Sequence, residues 1–116
     1  MINNLLSEQQ QQLWNNLLEE LELTFGRKPD IQSLLFLIGV QELGQTRNFT
    51  KEEKQDLMHV GVCHLLSLQN YYQFSHRDEE GWPHYAAIKP APELTAGVGA
   101  QENLLQFLVL QYFNKI

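Results

Sequence analysis

Apolar positions along this chain repeat mostly at three- and four-residue steps, the spacing of a helix face, and only one stretch alternates at the two-residue step of a strand. Leu13, Trp14, Leu17, Leu18, Leu21 and Phe25 make one amphipathic face. Ser7 with Gln10 three residues later is a capping-box start for that helix. Gly26 is a natural residue to follow its end. Pro29 and Asp30 suit the opening of a second helix, Pro because it tolerates a first turn and Asp because it favours the positive helix end. Ile31, Leu34, Leu35, Phe36, Leu37, Ile38, Val40 and Leu43 then cover nearly the whole circumference, which predicts a helix central to the core. A buried strand is the alternative for the middle of this run. The length of the run, with Gly44 at a C-cap position, favours the helix.

Gly44 to Phe49 reads as a loop. Thr50 and Glu53 form a second capping box, and the helix it opens runs to about Ser67. Leu57, Gly61, Leu65 and Leu68 make one apolar line, which Met58, Val62 and Leu66 widen to about half the circumference. From Tyr71 to Ile88 aromatic and polar residues alternate, and Asp78-Glu79-Glu80-Gly81 is a turn signal. The expectation is a β-hairpin pairing Tyr71–His76 with Trp82–Ile88. Pro83 cannot donate to a ladder, so its strand is an edge or starts late. Lys89–Pro92 is a stiff connector and Thr95–Gly99 a small, flexible segment. A last helix spans about Ala100–Asn114, with Leu104, Leu105, Leu108, Val109, Tyr112 and Phe113 on its buried side. The predicted fold class is mainly α, about four helices with one β-hairpin between the third and the last, in a single domain over residues 1–116. A winged-helix-like arrangement of residues 30–88 is the architectural alternative.

Composition narrows the functional classes. A chain of 116 residues suits one domain and buries roughly two thirds of its unfolded surface. The formal net charge of −6 opposes non-specific binding to phosphate backbones, and Arg27-Lys28 is the only adjacent basic pair. Cys63 is the only cysteine, so no intramolecular disulfide forms and no CxxC pair exists. Met1-Ile-Asn-Asn lacks a basic leader signature, and the apolar run Leu34–Val40 is far too short for a membrane span. These features set the expectation of a cytoplasmic protein with no membrane association.

Candidate chemistry gathers on the third helix. At about 100° per residue, Glu52, Asp56, His59 and Cys63 fall within roughly a quarter of the circumference, with Ser67 adjoining. One reading is a zinc site: His59 and Cys63 as ligands, Asp56 as third ligand or orienting group, and a further ligand from Glu42, His76 or His84. A second is a Cys63 nucleophile with His59 as base and Asp56 as orienter. Against it, Cys63 lies well inside its helix near two carboxylates, where a thiolate is disfavoured. The third reading is structural, a stripe at the border of a packed face with carboxylates near the helix N-terminus, and it is preferred. The three consecutive acids at Asp78–Glu80 fit no EF-hand spacing and read as a solvated turn. Trp82 and Tyr85 are expected to close the core, and His64 to sit at the core boundary. If the third helix were a DNA-recognition helix, Lys51, Lys54 and Gln55 would compete with Glu52, Glu53 and Asp56, so nucleic acid is not the expected partner.

The strings Gly39-Val-Gln-Glu-Leu-Gly44, Phe49-Thr-Lys-Glu-Glu-Lys-Gln-Asp-Leu-Met-His59 and Asp78-Glu-Glu-Gly-Trp-Pro-His84 resemble those of a family of small uncharacterised bacterial proteins, over residues 30–113. That resemblance implies no activity and transfers no site. The functional expectation is a non-enzymatic binding or assembly module working through protein contacts, with itself or another chain. The alternatives are a metal-binding protein or metal-dependent enzyme using the stripe, and a winged-helix nucleic-acid binder.

Overall fold

The computed structural model describes the backbone of residues 2–90 and 99–116 and the side chains of 8–90 and 104–116. Among the described residues the order is α1 (Ile2–Phe25), α2 (Ile31–Leu43), α3 (Lys51–Ser67), β1 (Tyr72–Arg77), β2 (Pro83–Ala87) and α4 (Gly99–Tyr112). This is the expected mainly helical class, with the hairpin between the third and fourth helices. Most of the expected connector, Lys89–Pro92, and flexible segment, Thr95–Gly99, falls in residues 91–98, which lie outside the described residues.

The largest difference from the sequence reading is at the start of α1. α1 begins at Ile2 rather than at Ser7. A Ser cap is worth only about 1 kcal/mol, and Ile2–Leu6 contains no Gly or Pro to stop a helix, so the helix runs through the signal. The chain forms two compact units, α1 with α4, and α2 with α3 and the hairpin.

In the first unit Trp14 and Leu17 of α1 are buried, as are Leu105, Leu108, Val109 and Leu110 of α4. Leu110 was not among the residues expected inside. Gln106 is a buried polar side chain, and its Oε1 accepts a hydrogen bond from Gln10 Nε2 at 3.4 Å. Lys115 pairs with Glu20 at 2.9 Å.

The second unit is built on the α2–α3 contact. Leu34, Leu35, Ile38 and Leu43 of α2 are buried against Leu57, Val60, Leu65 and Leu66 of α3. The two helices meet through a reciprocal pair of glycines. A Cβ on Gly39 would overlap the Leu57 carbonyl oxygen, and a Cβ on Gly61 would overlap the Leu35 carbonyl oxygen. Each glycine sits four residues after the leucine whose carbonyl the opposite glycine faces, so both backbones approach closely along one line. Gly44 ends α2 as predicted, with φ 75° and its N–H bonded to the Val40 carbonyl. The Thr50 capping box is complete: Glu53 N–H donates to Thr50 Oγ1 and Thr50 N–H donates to Glu53 Oε1.

The hairpin returns along α3 because only four residues, Leu68–Tyr71, separate the helix from β1. Its strands pair antiparallel, Tyr72 with Ala87, Phe74 with Tyr85, and His76 with His84, with a bulge between Phe74 and His76. Pro83 is the first residue of its strand, where its missing N–H costs no ladder bond. The turn is tied by Asp78, whose Oδ1 accepts from the N–H groups of Glu80 and Trp82, and Gly81 takes φ 90°. The bulge places Arg77 on the helix-facing side of the strand. There its guanidinium donates to the carbonyls of Glu42 at 2.7 Å and Gly81 at 2.9 Å. A cation at the last carbonyls of α2 suits the negative helix end.

Candidate functional site

Running antiparallel to α3, the hairpin brings its turn beside the middle of that helix, and a cleft of about 420 Å³ opens between them. From α3 it is lined by Asp56, His59, Val60 and Cys63. The turn contributes Asp78, Glu80 and Trp82, and β2 contributes Pro83, His84 and Tyr85. The two features that stood apart in the sequence, the stripe and the acidic turn, therefore form two walls of one cleft. Glu52 is exposed and does not line it.

Chemistry within the cleft is unevenly engaged. Cys63 is buried, and its Sγ lies 3.5 Å from His59 Nε2, the contact expected from their spacing. Burial pushes the Cys63 thiol above its ordinary pKa, away from the thiolate that a nucleophile or a metal ligand requires. Asp78 is fully used: beside its turn bonds, its Oδ2 meets His84 Nε2 at 2.9 Å. The His84 hydrogen bond, with the Trp82 and Glu80 backbone donors, holds the Asp78 carboxyl below its usual range. By contrast, the carboxylates of Asp56 and Glu80 make no hydrogen bond or ion pair among the described residues, and neither does the indole N–H of Trp82. Trp82 is half-buried, neither fully in the core nor free in solvent.

The remaining candidates lie elsewhere. Glu42 does not line this cleft; it lines a second cavity, of about 290 Å³, with His64, Ser67, Phe74, Arg77 and Tyr85. There Glu42 Oε1 sits 3.4 Å from His64 Nδ1, and Tyr85 Oη lies 2.9 Å from the same nitrogen. Burial lowers the His64 pKa, and the Glu42 charge opposes that shift only in part. Burial, reinforced by the Glu42 charge, pushes Tyr85 up to about 12. This carboxylate–imidazole–phenol group joins α2, α3 and β2, and nothing in the spacing of the three residues announced it. Tyr85 separates the two cavities and lines both. His76 is exposed and does not line the cleft, though its ring stacks on that of His84 with centroids 4.8 Å apart.

Among the described residues, no three His, Cys, Asp or Glu side chains are gathered as a metal-holding group. Asp56, His59, Cys63 and His84 share the cleft without forming one, and Glu42 is paired in the other cavity. The exposed start of α3 mixes Lys51 and Lys54 with Glu52 and Asp56, which gives it no basic surface. No helix among the described residues is long and apolar enough to cross a membrane. No protein-family model, no curated protein and no solved structure matches the chain.

Proposed function

We propose that this protein is a non-enzymatic binding module whose cleft between α3 and the hairpin takes part of another protein chain, either a different partner or a second copy. The observation that carries this reading is the half-buried Trp82, its indole N–H unpartnered among the described residues, in one cleft with the Asp56 and Glu80 carboxylates, likewise unpaired among those residues, and with the apolar Val60 and Pro83. Aromatic side chains of this kind, apolar at the face and polar at the edge, are the usual anchors of protein contacts. The raised pKa of Cys63, with no bond from Asp56 to orient His59 among the described residues, argues for binding rather than nucleophilic chemistry. A reducing, cytoplasmic setting belongs to the same reading and is supported by the unpaired Cys63. So does membership of the small bacterial family that the sequence resembles.

A photo-crosslinking residue placed at Glu79, next to the cleft, tests this. It is expected to capture one discrete protein or a second copy, with the latter also giving a dimer mass in light scattering. Trp82→Phe is expected to weaken that capture. No crosslink at this position together with a monomeric mass would overturn the proposal. The zinc reading retains one contact in its favour, between Cys63 and His59. Stoichiometric zinc in protein purified without chelator, lost in His59→Ala, would replace the binding reading with it.

A further inference from the structure

We propose that the group this cleft recognises is an arginine side chain of the partner segment, an inference that rests on the binding reading above. Two observations converge on a planar cation. The first is charge: Asp56 approaches the cleft from α3 and Glu80 from the turn, so carboxylates stand on opposite walls, and neither is paired within the described residues. Arg47 acts on Glu80 through its charge, but its guanidinium is already committed to Glu53 at 2.9 Å, and Arg77 is committed to the Glu42 and Gly81 carbonyls. The second is the aromatic lining. Among the described residues Trp82 has no ring or cation partner, whereas the ring of Tyr85, which also lines the cleft, already meets Phe74 and His64 edge to face and its hydroxyl is held by His64.

A guanidinium uses both features at once. Its fork of N–H donors reaches two carboxylates, and its flat, weakly hydrated face lies on an indole. Its three-carbon stem covers apolar surface, here Val60 and Pro83. Lysine matches the charge but not the planar face, and an uncharged planar group such as citrulline matches the face but not the charge. A cleft of about 420 Å³ admits a single long side chain rather than a folded element. Asp78 is not part of the recognition, because its carboxylate is consumed by the turn and by His84.

The test uses the full chain and the tripeptides acetyl-Gly-Arg-Gly-amide, its citrulline and lysine counterparts, and acetyl-Gly-Leu-Gly-amide, followed by two-dimensional NMR. The arginine peptide is expected to shift the Trp82 indole signal and the Asp56 and Glu80 amides saturably in the millimolar range. The uncharged citrulline peptide is expected to bind about tenfold or more weaker, since a charge-assisted pair is lost. Asp56→Asn with Glu80→Gln, both at exposed positions, is expected to reduce arginine binding by a similar factor, and raised salt to weaken it. Trp82→Phe is expected to reduce it without unfolding the protein, as checked by the remaining amide spectrum. Equal binding of arginine and citrulline, or no saturable shift with arginine, would overturn the inference. Preference for the leucine or lysine peptide would also overturn it. If cleft crosslinks to a partner persist in any of those cases, the binding reading stands and only its ligand is wrong. If crosslinks are absent as well, both fall.

Discussion

His64 is the residue whose surroundings say most about pH. Its Nδ1 is 2.9 Å from the Tyr85 hydroxyl and 3.4 Å from Glu42, and burial favours the neutral ring. A histidine with a lowered folded pKa contributes stability that is present above its unfolded value and lost as pH falls through it. Protonation therefore sets in below about 6.5, the unperturbed value, and acts against the fold. Glu53 works in the same direction at lower pH. The Arg47 hydrogen bonds, with the Thr50 N–H, hold its carboxyl at about 2, so its contribution is present above about 4.5 and lost on descent towards 2. Asp78, held below its usual range by His84, adds to the same acid limb. We expect the thermal midpoint to fall steadily on acidification from neutral pH, and His64→Gln to flatten the part of that fall nearest pH 6.5. A midpoint that rises on acidification would contradict these assignments.

Among the elements, the α2–α3 pair depends most on single atoms. Gly39 and Gly61 are both inside helices, where glycine costs roughly 1 kcal/mol relative to alanine. Helix propensity alone would therefore predict stabilisation by Gly→Ala. The close approach reverses the sign, because each new methyl would meet a backbone carbonyl that cannot rotate away as a side chain does. Gly39→Ala and Gly61→Ala are each expected to lower stability by about 2 kcal/mol or more, towards the upper part of the overpacking range. Urea unfolding of the two variants checks this. The hairpin depends on a different device. Its bulge between Phe74 and His76 turns Arg77 towards the end of α2, so the turn that forms one wall of the cleft is tied to that helix. Gln45 Nε2 adds a second tie, donating to the Glu80 carbonyl at 2.9 Å.

On the scale of the whole molecule, the acidic balance takes on a local meaning. The net charge of −6 is a solubility feature when spread over a surface. In the second unit, part of it converges on one concave site with aromatic walls, and a concave acidic site concentrates field towards cations. The division into two compact units also separates tasks: the cleft and the His64 group lie in residues 31–92, while α1 and α4 form the other unit.

Much of the architecture was legible in local sequence. The Thr50–Glu53 box, Gly44 after α2 and the Asp78–Gly81 turn were all read correctly, because caps and turns are satisfied by groups within a few residues of one another. The strand ends came within a few residues, and Pro83 starts its strand as its chemistry requires. Helical spacing likewise predicted the His59–Cys63 contact. Long-range placement could not be read this way. Nothing in a linear pattern says that Gly39 faces Leu57, that Arg77 reaches α2, or that Glu42 pairs with His64 instead of with the stripe. Those relations depend on the crossing of two helices and on the direction in which a hairpin folds back, which many distant contacts set together. One clue was present, the four-residue link from α3 to β1, since so short a link leaves the hairpin little choice but to lie along its helix. The chain's own pattern thus specifies the elements and their ends; packing decides which side chains become neighbours, and so turns a stripe and a turn into one cleft.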